Sequence, residues 1–175
     1  MVITQFDPNT NTVYIESKQS IPTSITLTAE EWRKAGHFAV DRRADSVNTA
    51  THNIVKNKGF TLNTEVDQVA AVLAAAKALG KPATLNRGTF QPDNVGGIRV
   101  RHSPQPKAKL RVYDDQPDHE KCLLVVGRGY SYRLVGWATA GEVRRQGQKE
   151  SLNGSQKQCW TISQALLKPI SELAQ

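Results

Sequence analysis

At about residue 84 the hydrophobic period of this chain changes from that of helices to that of strands, and that switch restricts the folds open to it. Upstream, Thr28-Ala29-Glu30-Glu31 has the form of a capping box, in which the Thr hydroxyl accepts from a first-turn amide and the Glu side chain reaches back. The helix it opens is expected to run to about Asp45. Trp32, Ala35 and Ala39 fall on one narrow packing face, and Arg33, Lys34, Arg42 and Arg43 read as solvated. The stretch 46–63, rich in Ser, Thr, Asn and Lys and containing His52, has no period and reads as a loop. TEVDQVAAVLAAAKALG is the clearest helix. Thr64 is placed to cap it, Val66, Val69, Leu73 and Ala76 form its apolar stripe, and Gly80 suits a left-handed exit before Pro82 stops continuation.

Downstream, TLNRGTF, GIRVRHS, KLRVY, CLLVVG and YRLVGW are short β-forming runs separated by Gly, Pro and Asp clusters, so a sheet of about four to five strands is expected. CLLVVG lacks alternation, as a central strand covered on both faces does. Thr139 to Glu142 is a second capping box, opening a short helix. QCWTISQALLKPISELAQ reads as a strand-like piece and a Pro-interrupted helical end. Residues 1–24 read as an N-terminal hairpin, VITQF and TVYIE around the turn-forming DPNTN, ahead of one domain over 25–175.

The 23 Lys and Arg against 16 Asp and Glu leave a net charge of +7, which favours a polyanionic partner, nucleic acid first, over an ordinary basic surface. The N-terminus has no basic segment followed by an apolar one, and no run of about 18 apolar residues occurs, so secretion and membrane spanning are not expected. Cys122 and Cys159 lack metal-ligand spacing and read as buried thiols of a reducing compartment. There is no GxSxG, and Gly127-Arg128-Gly129 sits in a strand context rather than before a helix. Neither a nucleophilic Ser or Cys nor a nucleotide cofactor is therefore expected.

The order LTAEEW, AAAKALG, TFQPDNVGGIRVRHS, KLRVYDD, CLLVVG and YRLVGWATAGEV resembles small bacteriophage proteins of the PD-(D/E)XK nuclease superfamily, over roughly residues 25–173. The resemblance implies an α/β (α+β) restriction-endonuclease-like αβββαβ core, with a mixed central sheet flanked by helices. It also implies DNA as substrate class, and the cytoplasm of a bacterial host or the virion as location. Phosphodiester hydrolysis needs carboxylates converging on Mg²⁺ or Mn²⁺, which polarises the phosphoryl group and lowers the pKa of a bound water. In the resembled pattern these are an acid on the Ala-rich helix, an Asp at a strand head, and a Glu (or Gln)-x-Lys (or Arg) pair.

On this chain Asp93 matches the Asp, as the implied metal ligand and catalytic residue, and Arg101 matches the catalytic cation. Arg99 replaces the expected second ligand, and Val72 replaces the helix acid, with Ala71 where Gly is usual. A guanidinium within about 4–6 Å of a dication costs several kcal/mol, so Arg99 opposes metal binding. Glu65 lies seven residues before Val72 on the same helix face, about 10 Å along the axis, and serves only if the site has migrated. Asp93 within Pro-Asp-Asn-Val-Gly-Gly is equally good turn chemistry, and Asp114 and Asp115 suit a turn before Pro117.

What remains is a basic strand pair. Arg99, Arg101, Lys107, Lys109 and Arg111, with His102 among them, span 99–111 without an acid. If the Arg99/Arg101 face and the Lys109/Arg111 face coincide, four cations line the former catalytic groove and bind DNA phosphates. The expected function is therefore a DNA binder with weak or no catalysis and no required cofactor. The alternatives are a Mg²⁺- or Mn²⁺-dependent endonuclease around Asp93, and a module that binds host or phage proteins. Trp137, after a Gly at a strand end, reads as core rather than a base-stacking platform.

Overall fold

The computed structural model describes residues 2–7, 12–16, 21–48, 61–87, 92–151 and 158–174. The turn expected at 8–11, the loop segment around His52 and the end of TLNRGTF lie outside these residues. β1 (Val2–Asp7) and β2 (Thr12–Glu16) pair antiparallel, as the hairpin reading expects.

Both early helices form where the periodicity puts them. α1 (Ala29–Asn48) opens on its capping box, with the Thr28 amide donating to Glu31 Oε2 at 2.7 Å and the Glu31 amide to Thr28 Oγ1 at 3.2 Å. α2 (Leu62–Leu79) is capped by Thr61 rather than Thr64. The Thr64 amide donates to Thr61 Oγ1 at 3.3 Å, because a cap must lie outside the first turn whose amide it satisfies. Gly80 ends the helix at φ 60°, its amide reaching back to Ala76.

The strand region builds two sheets. The larger orders β3 (Ser24–Thr26), β9 (Ser131–Thr139), β8 (Lys121–Arg128), β6 (Ile98–Ser103), β5 (Asn94–Val95) and β4 (Ala83–Thr84); β6 and β8 run parallel and the other neighbours antiparallel. The smaller orders β10 (Gln148–Ser151), β11 (Gln158–Ile162) and β7 (Leu110–Val112). α3 (Ala140–Gln146) starts from the second capping box, both of whose bonds form. The chain ends in 3-10 turns, because Pro169 removes the amide that a longer helix needs there.

β8 joins the two cores. Leu123 and Val125 face α1 and α2, packing with Val69, Ala70, Val95, Ile98 and Leu134, while Cys122, Leu124 and Val126 face the small sheet and α3, packing with Leu110, Val112, Val143 and Ile162. Burial on both faces explains the unbroken apolar run CLLVVG. Each such Leu or Val contributes about 1.5–3 kcal/mol by leaving water.

The fold is thus mixed α and β, with α1 and α2 on one face of the large sheet and the small sheet with α3 on the other. KLRVY forms β7 as expected, but in the small sheet rather than beside β6 and β8, and the rest of the connection over 104–120 holds turns. Leu110 and Val112 join β11 there and pack into the second core. Among the described residues no helix is long and apolar enough to cross a membrane.

Candidate nucleic-acid interface

The turn between β5 and β6 decides where the predicted site residues point. Gly96 and Gly97 have φ of 54° and 81°, the two left-handed positions of a two-residue hairpin turn, so Val95 opposes Ile98 and Asn94 opposes Arg99. Val95 and Ile98 face the helices, so Asn94 and Arg99 face the other side. Asp93, one residue earlier, belongs with the helix side. The pattern expected from the sequence, Asp93 beside Arg99 and Arg101, is therefore split across the sheet. Asn94, not Asp93, is Arg99's neighbour, and its Oδ1 accepts from the Gly97 amide at 3.1 Å.

On the helix side Asp93 is held by α1. Arg42 Nη2 donates to both its oxygens, at 3.0 and 2.8 Å, and the Asn86 amide donates to Oδ1 at 2.9 Å. The two side chains are 16% and 13% exposed. The guanidinium also lies over the Phe38 ring, 5.0 Å from its centroid, one turn back on α1. Arg42 is thus a fixed counter-charge and not the solvated helix residue its position suggested. Glu65, at the first turn of α2, is 3% exposed and its Oε2 has no hydrogen-bond partner. Burial raises its pKa above the usual carboxylate value, against the pull of Arg42 and Arg43 and with a further push from Asp93. Glu65 and Asp93 do approach one another electrostatically, yet a guanidinium lies on Asp93 where a metal ion would have to bind.

On the opposite side, Arg99 and Arg101 share the face of Cys122 and Leu124, their partners in the parallel register of β6 and β8. Arg99 donates through Nε and Nη2 to Glu120 Oε1, at 2.9 and 2.8 Å. Arg101 donates to Gln116 Oε1 at 2.6 Å and stacks 5.3 Å from the Tyr113 ring centroid. Gln116 is buried; its Oε1 also accepts from the Tyr113 amide at 2.9 Å, and its Nε2 donates to Glu120 Oε2. The Glu120 carboxylate therefore bonds Arg99 directly and is linked to Arg101 only through the neutral Gln116 side chain. Burial, reinforced by the Arg99 charge, lowers the Arg101 pKa, although an arginine stays charged near neutrality. Arg101 Nε is buried without a hydrogen-bond partner.

The remaining candidates disperse. His102 lies on the helix side opposite Val125; its Nε2 bonds the Gly127 carbonyl at 2.8 Å, so Nε2 carries the proton. Burial lowers its pKa, keeping it neutral near pH 7 and removing it from any phosphate-binding set. Lys107 is exposed in the connection after β6. Lys109 pairs with Glu150, and Arg111 opposes Thr161 of β11. Because Leu110 and Val112 pack onto the Arg99/Arg101 face of the large sheet, alternation turns Lys109 and Arg111 the other way. The four cations do not line one groove.

Trp137, 6% exposed, is core as expected, with its indole donating to the Pro169 carbonyl at 3.2 Å. Cys122 and Cys159 are free and buried, and burial raises both thiol pKa values, so neither is activated. Asp114 accepts from the Trp160 indole at 2.7 Å, which ties its turn to β11. Sequence reasoning missed Arg42, Gln116 and Glu120, which meet their partners only through tertiary contacts. It also missed Asn94, which the Gly-Gly turn register signalled. Comparison of the chain with protein-family models, with curated proteins and with solved structures finds no match.

Proposed function

We propose that this chain is a DNA-binding protein of PD-(D/E)XK nuclease-like type that engages the phosphate backbone through Arg99 and Arg101 without hydrolysing it. The observation that carries this reading is the charge imbalance on β6: Glu120 bonds Arg99, while the more buried Arg101 is hydrogen-bonded only to the neutral Gln116. An incoming phosphate oxygen takes over the Arg99 bonds as Glu120 yields, and meets Arg101 two residues along the same strand face. Exposed Lys107 adds a backbone contact from the adjoining loop. Such contacts recognise phosphate rather than base, so binding is largely independent of sequence and weakens with salt. The pair formed by Asp93 and Arg42 supports the non-hydrolytic half of the reading, because a divalent ion has to displace a bonded guanidinium to reach that carboxylate.

A metal-dependent endonuclease is the second reading, and one observation favours it: Glu65, buried with an unpartnered oxygen, lies close enough to Asp93 and Arg42 to feel both charges. One experiment separates the two. The protein is incubated with plasmid and a short duplex in Mg²⁺, Mn²⁺ or EDTA, beside Asp93→Asn and Arg101→Gln. Retardation that weakens with salt and with Arg101→Gln, without cleavage, supports phosphate binding. Metal-dependent nicking lost in Asp93→Asn replaces it with the endonuclease, and neither effect refutes both in favour of a protein partner.

A further inference from the structure

We propose that Tyr130 and Trp32 form a stacking ledge for an unpaired base, so that the chain binds single-stranded DNA at a second place, across the sheet from Arg99 and Arg101. The proposal rests on the DNA reading above and deepens it. Tyr130 is one of the few large apolar side chains that the described residues leave in water, at 47% exposure, and it occupies the two-residue turn joining β8 to β9.

That turn is held from several sides. Asp67 Oδ1 on α2 accepts from the Gly129 amide at 2.8 Å and from the Tyr132 hydroxyl at 3.0 Å, and the Tyr130 carbonyl accepts from the Leu27 amide at 2.8 Å. Burial and the Asp67 charge raise the Tyr132 hydroxyl far above its usual pKa, so it remains a donor. An exposed aromatic ring on a backbone this constrained has little ordering entropy left to lose when a ligand stacks on it.

Trp32, half-buried against the helix-side core at the first turn of α1, backs that ring, the two centroids 5.5 Å apart at 36°. The charges beside the two rings select the occupant. Arg33 follows Trp32, Arg128 precedes the turn, and both are exposed. The acids nearby are already engaged: Glu30 with Lys34 at 2.9 Å, Glu31 with Lys77 at 2.9 Å, and Asp67 with the turn. An exposed aromatic ring with exposed arginines on the adjoining elements matches alternating bases and phosphates of a single strand, in which every base offers a π-face.

The test is fluorescence anisotropy with a labelled oligo-dT of about 12 nucleotides, within the range of single-strand site sizes, and with a blunt duplex. Wild type, Tyr130→Ala, Tyr130→Phe and Arg101→Gln are compared, and circular dichroism melts establish that each is folded. The proposal expects Tyr130→Ala to weaken oligo-dT binding about fivefold or more, with Tyr130→Phe near wild type and duplex affinity unchanged within about twofold. Oligo-dT binding indifferent to Tyr130→Ala, with duplex binding still lost in Arg101→Gln, overturns the ledge and leaves the phosphate site standing. No binding of either nucleic acid by wild type overturns both.

Discussion

Glu120→Gln is the substitution that most directly tests the competition between an internal carboxylate and an external phosphate. Glu120 neutralises Arg99 through two hydrogen bonds of 2.9 and 2.8 Å, with the two side chains 18% and 20% exposed. Gln keeps the shape and one accepting oxygen but removes the charge. A hydrogen bond to a charged group contributes about 1.5–3 kcal/mol. The partial exposure of this pair puts its loss near the lower end, and a molecule of this size then melts about 3–6 °C lower. DNA binding moves the other way. A phosphate no longer displaces a carboxylate, so affinity rises by about 1 kcal/mol, roughly fivefold. The same phosphates are contacted, so the slope of log K against log salt stays near that of the wild type. The assay is a salt titration of duplex binding beside a thermal melt. Lower stability with tighter binding at each salt concentration supports the reasoning. Lower stability with unchanged or weaker binding refutes it, because Glu120 is then only a structural partner of Arg99.

Asp93→Asn leaves the Arg42 guanidinium buried without its charge, and urea unfolding should show a loss of about 3–5 kcal/mol; a loss under 1 kcal/mol contradicts the assigned pair. Because burial lowers the folded pKa of His102, the unfolded chain takes up its proton first. Stability is therefore complete above about pH 6.5 and declines as pH falls below it, and His102→Gln should flatten that decline in melts between pH 7 and 5. Burial raises the folded pKa of Glu65, so its neutral form is favoured at low pH and this advantage fades as pH rises. Glu65→Gln should therefore stabilise the protein at pH 7 more than at pH 4, and an equal effect at both contradicts a buried, charge-averse carboxyl. Gly127→Ala should abolish folding or cost about 3 kcal/mol or more, since φ is 139° and the new Cβ meets the Ser131 carbonyl oxygen at 2.2 Å; a wild-type melt refutes this.

Much of the fold was legible because its signals are local. Capping boxes at Thr28 and Thr139, the Ala-rich period of α2, the Gly80 exit and the apolar run of β8 depend on residues within a few positions of one another. The errors have the same origin. Thr64 and Thr61 both suit a cap, and only the actual start of α2 separates them. β7 was legible as a strand, but its place in the small sheet was not, because Leu110 and Val112 find apolar partners on β11 and β8, far along the chain. The candidate site was less legible still. Its residue types were identified, but Arg42 is 51 positions from Asp93 and Glu120 is 21 from Arg99, separations that no periodicity encodes.

The amino-acid sequence by itself determined the helices, most of the strands and the excess of positive charge. Tertiary structure alone decided which charges remain available. Hydrogen bonds and burial act over a few ångströms, and only the folded chain brings Arg42 onto Asp93, Glu120 onto Arg99 and Leu110 under β8. The pleat then sends Asp93 and Arg101 to opposite faces, because a side chain one position out of register along a strand points the other way.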